Sequence, residues 1–533
     1  MFHSHNIPLP NVSQLAHTDK AYAACAPDLR EFYTYTPELA AFHEVIDTKK
    51  TAYNDKTRAI LCQTLRRQYQ NIANNTHALQ CIDTLTDSQT FTVCTAHQPL
   101  LFTGAFYFIY KIAAAIKLAK ELTQAYPEHN FIPIYWIGSE DHDFEELNHC
   151  YIFNKKITWD DAQGGAVGNY KTDTLPQVVE HLKAILGTSP EYEPIIANIS
   201  RAYLGQSNFA RATFEFVNDI FQHTNLLILD QNDEHLKQIC LPIFVDDLLQ
   251  NNSFRLVNET AQRLTQKGYK IQAAPRPINL FYLLPQQRQR FIFENGQYKI
   301  LNTDIVIEKN EIETFVQQHI AQISPNVILR PLMQETVLPN VAYLGGGGEI
   351  AYWLERKTQF NYYQIPQPVL VRRPSVLFID KNTSEKLQKH SFGLESWFEN
   401  VDIIIKQFLS QTHSQDMSLT AEKEQIKTIY TQILAQHSRI APALSNTVQG
   451  QIATVSNLLT TLAEKMQREL KRSEAENVQQ ISRLKDKLFP NQNLQERNDN
   501  FIPLYAKFGY QLIDFLIDNF QPLNPQFHIF SEL

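Results

Sequence analysis

The densest group of reactive side chains in the sequence is Glu140, Asp141, His142 and Asp143, followed by Glu145, Glu146, Asn148 and His149. Carboxylates beside an imidazole can hold an ammonium group, order a magnesium-bound nucleotide, or take a proton from an amine nucleophile. A metal centre is a poorer match, because neither a His-x-x-x-His pair nor a distant completing triad is present. Acids that open a helix also sit on the positive end of its dipole, which by itself implies no chemistry. A second group, His97 and Gln98 with Thr103 and Gly104, precedes a helical pattern carrying Lys111 in its second turn. A helix N-terminus with a nearby lysine suits phosphate or carboxylate, although Thr-Gly is also an ordinary cap. The third group is Gly345 to Gly348, between an apolar run and a helix expected to begin near Glu349. Four consecutive glycines carry a large backbone-entropy cost. The pattern predicts φ > 0 conformations whose N–H groups turn inward as an anion-binding nest.

The elements that must position these groups can be read from hydrophobic patterning. Thr90 to Thr95 and Phe131 to Ile137 are strand-like, and a helical pattern from Ala105 to about Ala125 separates them. Together they predict a βαβ unit whose polar residues gather at the carboxyl ends of both strands, the edge of a parallel sheet where ligands bind. The first 85 residues look helical, with Leu39, Phe42, Ile46, Ile60, Leu61, Leu65, Tyr69 and Ile72 spaced at three and four. Helix Ala210 to Phe221 leads into Leu226 to Asp230, a continuous apolar run typical of a buried parallel strand. A further helix-strand alternation is expected through Gly268 to Ile271. Asn279 to Leu284 and Gln289 to Phe293, with turn signals at Pro285 and Asn295-Gly296, predict a small antiparallel patch. Val369 to Asp380 reads as two short strands carrying Arg372 and Arg373.

Beyond Trp397 the pattern becomes that of long helices. Leu419, Ile426, Ile429 and Ile433 mark one, and Pro442 interrupts it. Val448, Ile452, Val455, Leu459, Leu462 and Met466 then repeat with a 3.5-residue period, the mark of a coiled-coil seam. The expected arrangement is an antiparallel hairpin around Pro442 acting as a dimer arm. The resulting division is an α/β, Rossmann-like parallel-sheet core over 1–397, with inserted segments near 155–225 and 275–330. An arm over 398–500 and a C-terminal helix within 501–533 that docks on the core complete it.

Composition narrows the function class. A formal charge of −8 over 533 residues, with no basic block, argues against a nucleic-acid partner. Six cysteines lie far apart without a Cys-x-x-Cys pair, as expected of buried reduced thiols. No apolar run approaches the roughly 18 residues of a membrane span, and the N-terminus lacks a signal pattern. A cytoplasmic protein is expected.

Several motifs occur in one order across nearly the whole chain: His97-Gln98 with Phe102-Thr-Gly104, Tyr107 to Lys111, Pro133-x-Tyr-Trp136 and Glu140-Asp-His-Asp-Phe-Glu-Glu146. Arg330-Pro331, Gln334-x-Thr-Val-Leu-Pro339, Ala342-Tyr343, Gly345-Gly346-x-x-Glu-Ile-Ala-Tyr-Trp353 and Gln495-Glu-Arg497 follow. In this the sequence resembles the bacillithiol-synthesis cysteine-adding enzymes (BshC). It departs from the family at Ala96, at Ala105 and within Gly345 to Gly347, which leaves the polar groups in place. The resemblance implies a Rossmann-type core, a coiled-coil homodimer, and a ligase that joins the carboxyl of cysteine to the amine of glucosaminyl-malate. ATP, with Mg²⁺ as a possible companion, is the implied source of carboxyl activation. Glu140, Asp141, His142 and Asp143 are then the catalytic candidates. His97, Gln98, Thr103, Gly104, Lys111, Trp136, Asn148, Arg330, Gln334, Gly345, Gly346, Gly347, Glu349, Tyr352, Trp353, Arg372 and Arg373 are the binding candidates, with Arg372 and Arg373 complementing malate; no residue is assigned to a metal. Two other classes remain open at this level. A relative of class I aminoacyl-tRNA synthetases, or a nucleotidyltransferase, would share the core, yet the sequence lacks a Lys-Met-Ser-Lys-Ser stretch. A noncatalytic coiled-coil scaffold would leave the crevice motifs unexplained.

Overall fold

Five strands form the principal sheet: β1 (Thr90–His97), β2 (Asn130–Ile137), β3 (Leu227–Asp230), β4 (Asn340–Gly345) and β5 (Val369–Arg372). They lie in the order β3-β2-β1-β4-β5, and every pairing is parallel. A parallel sheet must be covered on both faces, and β1, β4 and β5 are accordingly buried along nearly their whole length. The chain builds outward from β1 to β3, then returns to the other side of β1 to lay down β4 and β5. That reversal opens a crevice at the carboxyl ends of β1 and β4, because the connections leaving them diverge to opposite faces. The fold is Rossmann-like. The computed structural model describes residues 2–390, 392–412, 418–437 and 444–533.

Helix α1 (Tyr107–Ala125) joins β1 to β2 and packs on both. Its entry is unusual: Phe102, Thr103 and Gly104 all have positive φ, at 49°, 66° and 63°. Two non-glycine residues in this region are strained, and neighbouring chain holds them there. The Asn500 side chain donates to the carbonyls of Phe102 and Gly104, and the Phe106 N–H donates to the Asp499 carbonyl. Helix α2 (Gly347–Leu354) follows β4 and packs on β5.

Helices Ala41–Ala52, Asp55–Gln68 and Thr76–Leu85 pack on the sheet, after an opening strand, Phe2–Pro8, that the helical pattern of this region does not announce. Five antiparallel strands lie between β3 and β4 in the chain, in spatial order Val306–Glu308, Gln297–Ile300, Gln287–Glu294, Leu280–Leu284 and Ile323–Pro325. The expected strand near Gly268 to Ile271 is absent. Residues 269–279 are irregular, Pro275 and Pro277 offer no N–H to a ladder, and the Gln272 N–H bonds to the Glu355 side chain instead. The helical segment near the C-terminus is two helices, Ile502–Phe508 and Tyr510–Asn519, divided by Gly509 at φ 58°; the second packs on α1.

The chain divides into two compact units, one of residues 4–377 with 493–530 and one of 1–3, 378–492 and 531–533. The second is largely helical. Thr420–His437 packs along Leu444–Ser473, and Val401–Thr412 packs along Ala475–Leu488. In Leu444–Ser473 the buried residues are Val448 and Ala463, whereas Leu462 is 47% exposed. The inward seam therefore passes through Ala463 and leaves Leu462 outside. Pro442 lies outside the described residues. No described helix is long and apolar enough to cross a membrane.

Candidate active site

A cavity of about 770 Å³ opens at the carboxyl ends of β1 and β4, within the usual range for small-molecule sites. Its floor comes from the principal sheet: Ala96 and His97 at the end of β1 with Gln98 after it, Gly138 and Asp141 after β2, and Gln231 after β3. Gly346 to Glu349 and Tyr352 come from the start of α2, and Arg373 from the end of β5. The antiparallel insertion supplies Phe281, Arg288, Pro325, Asn326 and Val327, and Asn493 and Arg497 close the ring.

Glu349 locks one side. Its carboxylate accepts from Lys111 Nζ at 2.8 Å, from the Tyr343 hydroxyl at 2.8 Å and from the Gly346 N–H at 2.9 Å. Burial works to raise its pKa, but Lys111 and these donors hold it at about 2. Lys111, itself buried, also reaches the Ala96 carbonyl. The pair ties α1, β1 and α2 together and is already neutralised.

The remaining cations are less well matched. Arg373 forms a two-pronged ion pair with Glu496, at 2.8 and 3.1 Å, while its buried Nε has no partner among the described residues. Arg330 bonds the Tyr352 hydroxyl and forms no ion pair among the described residues. The Arg497 guanidinium makes no hydrogen bond or ion pair among the described residues, and Arg288 stacks on Phe281 with its guanidinium 4.1 Å from the ring centroid. Against these stands Asp141, whose Oδ2 accepts from Gln98 at 2.9 Å and whose Oδ1 accepts the N–H groups of His142 and Asp143. Burial pushes its pKa up, and Gln98, Arg288 and the backbone donors override that, keeping it below the ordinary value. The cavity thus carries an excess of guanidinium groups around one helix N-terminus and a single acid without a lysine or arginine ion pair, an arrangement suited to anionic ligands bearing one cationic or hydrogen-donating group.

Of the expected site residues, the fold brings His97, Gln98, Asp141, Arg330, Gly346, Gly347, Glu349, Tyr352 and Arg373 to the cavity. The others serve elsewhere. Glu140 is buried behind the floor, 2.5 Å from Lys237 and bonded by Gln231. His142 lies outside the lining, its Nδ1 3.2 Å from Arg288. Exposed Asp143 caps the short helix Phe144–Leu147, and Asn148 meets the His149 ring. Thr103 and Gly104 are buried in the turn held by Asn500, and the Phe106 N–H before α1 is engaged by the Asp499 carbonyl. Trp136 is fully buried and donates to Gln231; buried Gln334 bonds Glu335. Trp353 stacks on Tyr343 at 4.3 Å. Arg372 is sealed in a two-pronged pair with Asp19 at 2.9 and 3.0 Å, so neither arginine lies on the open surface.

The glycine stretch is arranged differently from expectation. None of Gly345 to Gly348 has positive φ; Gly345 ends β4 and Gly346 is the N-cap of α2 at φ −71°. Glycine is required at 347 by proximity, because a Cβ there would lie 2.2 Å from the Asp19 carboxyl. Tyr107 and Arg497 were absent from the expected binding set, although both lie inside the recurring motifs. Arg288 gave no local signal, being one of two arginines in a polar strand that only the insertion's placement turns inward.

The N-terminal part of the chain, residues 2–374, matches the family model "Bacillithiol biosynthesis BshC, N-terminal Rossmann-like domain", and residues 376–532 match the corresponding C-terminal coiled-coil domain. Relatives named "Putative cysteine ligase BshC" include one from Flavobacterium psychrophilum, 38% identical over 94% of both chains. Those from Flavobacterium johnsoniae and Christiangramia forsetii are 35% and 34% identical, covering 95% and 96% of each chain. With its sheet order, its helical second unit and its switch-point cavity matched end to end in this way, the chain belongs to the bacillithiol biosynthesis BshC family.

Proposed function

We propose that the protein is a ligase that joins the carboxyl of L-cysteine to the amine of glucosaminyl-malate, with ATP activating the carboxyl. The observation that carries this reading is the charge of the cavity: Arg330, Arg373 and Arg497 gather near the N-terminus of α2, where the malate carboxylates and nucleotide phosphates both require cationic partners. An amide does not form usefully from a free carboxylate and a free amine, so activation through an acyl adenylate or an acyl phosphate is needed. The unpartnered Arg373 Nε fits a phosphate or carboxylate oxygen. Gly346 leaves room beside it, since a Cβ there would lie 3.5 Å from that Nε. Mg²⁺ would be carried chiefly by the phosphates, with Asp141 the lining carboxylate that no lysine or arginine pairs with among the described residues. Asp141 also suits the ammonium of cysteine.

Two further parts of the reading concern the whole protein. The second unit pairs with another copy of the chain through its exposed apolar residues, making a homodimer. The protein works in the cytoplasm, in keeping with six free cysteines. The test is direct: purified protein with cysteine, glucosaminyl-malate and ATP-magnesium, followed by mass spectrometry. The thiol product together with AMP or ADP is expected, and nucleotide turnover without an amide product would refute the assignment.

A further inference from the structure

The hydrogen-bond polarity beside His97 is determined by a chain of partners, each of which leaves the next no choice. His97 Nδ1 lies 3.1 Å from the Gln98 carbonyl oxygen, and a carbonyl can only accept, so Nδ1 carries a proton. The ring is half-buried, and its loss of hydration together with nearby Lys111 holds its pKa down at about 3. A neutral imidazole has one N–H, so Nε2 is a bare acceptor. The Tyr107 hydroxyl, 3.1 Å from Nε2, must therefore donate to it. Tyr107 has then spent its only proton. It lines the cavity, and among the described residues no other group hydrogen-bonds to its oxygen, so it has only a lone pair to offer a ligand.

This matters because most of the surrounding groups are donors. Arg330, Arg373 and Arg497 can only donate, and the Gln98 amide N–H₂ is engaged by Asp141. A ligand N–H or O–H arriving beside the arginines finds few acceptors, and Tyr107 is one of them. We propose that Tyr107 is an obligate hydrogen-bond acceptor that binds an N–H of the attacking amine and orients it; the identity of that amine, on glucosaminyl-malate, rests on the ligase reading above. Two physical consequences fit this role. The surrounding guanidinium groups disfavour a further cation, so an amine bound there is held in its neutral, nucleophilic form. A neutral phenol takes one N–H without competing for the nitrogen lone pair, which stays free for the acyl carbon.

Two measurements on the full-length protein test the inference. In ¹⁵N-histidine-labelled protein at neutral pH, the His97 spectrum should show a protonated Nδ1 and a bare, pyridine-type Nε2. A proton on Nε2 would overturn the assignment. Calorimetry of the unaltered protein and of Tyr107→Phe, with glucosaminyl-malate and with its 2-deoxy analogue lacking the amine, tests the ligand. Loss of one hydrogen bond should weaken glucosaminyl-malate by about 3–10-fold and leave the analogue unchanged. An equal loss for both ligands, or no loss for either, would overturn the proposal. If neither ligand binds the unaltered protein, the ligase reading falls and takes the amine with it, whereas the nitrogen spectrum still decides the polarity of Tyr107.

Discussion

Neighbouring residues in this protein often do opposite jobs, and substitutions should separate them. Asp141 faces the cavity while Glu140 faces Lys237 within the core. Asp141→Asn keeps the shape and the oxygen that accepts the His142 and Asp143 N–H groups, and it meets Gln98 once that amide flips to present its oxygen; it removes the charge, so product formation should fall by roughly 10²-fold or more, as for a positioned acid or base, with little change in the melting curve. Full activity would move the proton acceptor elsewhere. His142→Ala should have the smaller effect, since that ring is outside the lining. Glu140→Ala leaves Lys237 buried without its counter-ion, a change that typically costs about 3–5 kcal/mol. Urea unfolding should show that loss directly, and an unchanged midpoint would mean that the pair contributes nothing to the fold. The glycines divide in the same way. Gly347→Ala pushes a methyl group into the Asp19 carboxyl, 2.2 Å away, and overpacking of this kind costs about 1–3 kcal/mol. Gly348→Ala meets no neighbour and replaces glycine in a helix, so it should be neutral or stabilise by up to about 1 kcal/mol. Because Gly348 lines the cavity, the same variant should nevertheless weaken an anionic ligand in calorimetry.

At the level of elements, the insertion and the helical unit each present a question of what their exposed faces do. The antiparallel sheet holds Arg288 rigidly, through Ser324 Oγ and the Pro325 carbonyl, both at 3.1 Å, and through the Phe281 ring. It is therefore a built wall of the site. In the helical unit, Leu458 and Leu462 are 64% and 47% exposed, as are Ile429 and Ile433 at 53% and 47%. If a second copy covers them, Leu458→Lys with Leu462→Lys should lower the mass seen by light scattering to that of one chain while helicity by circular dichroism persists. An unchanged dimer mass would place the contact elsewhere. A lysine at buried Ala463 should instead reduce helicity, because it forces a charge into a buried position of Leu444–Ser473.

The molecule as a whole should be acid-labile, and two kinds of group set the direction. His97 and His528 are held neutral by burial, at about 3 and about 4 against an ordinary 6.5. Below 6.5 the unfolded chain binds protons that the folded chain refuses, so stability falls with pH from there down to the folded values. Glu349, lowered from 4.5 to about 2, stabilises the fold above 4.5, and that contribution is lost between 4.5 and 2 as it protonates. Urea midpoints should thus decline as pH drops below 6.5, and more steeply below 4.5. In His97→Gln the upper part of the decline should shrink; an unaltered slope would show that His97 is not the residue responsible.

Some of this was legible in the amino-acid sequence because it depends on neighbours in the chain. The strand-like stretch at 90–95 and the apolar runs at 131–137 and 226–230 read as strands of a parallel sheet, and they pair in parallel. Asn295-Gly296 marks a hairpin, and both residues adopt positive φ, at 53° and 82°. The recurring motifs identified the family and the acid-bearing loop. Which polar group of each motif meets the ligand was decided only in three dimensions. Along an extended segment successive side chains point to opposite sides, so Arg372 and Arg373 diverge, one to Asp19 and the other to the cavity and Glu496. Those partners lie 353 and 123 residues away, and no local pattern encodes such a pairing. The same holds for the entry of α1, which reads as an anion-binding N-terminus until Asp499 and Asn500 occupy it. Local sequence sets periodicity and turn geometry through sterics, whereas the partner of a buried charge is settled when distant segments close on it and it must be paired or lose its hydration uncompensated.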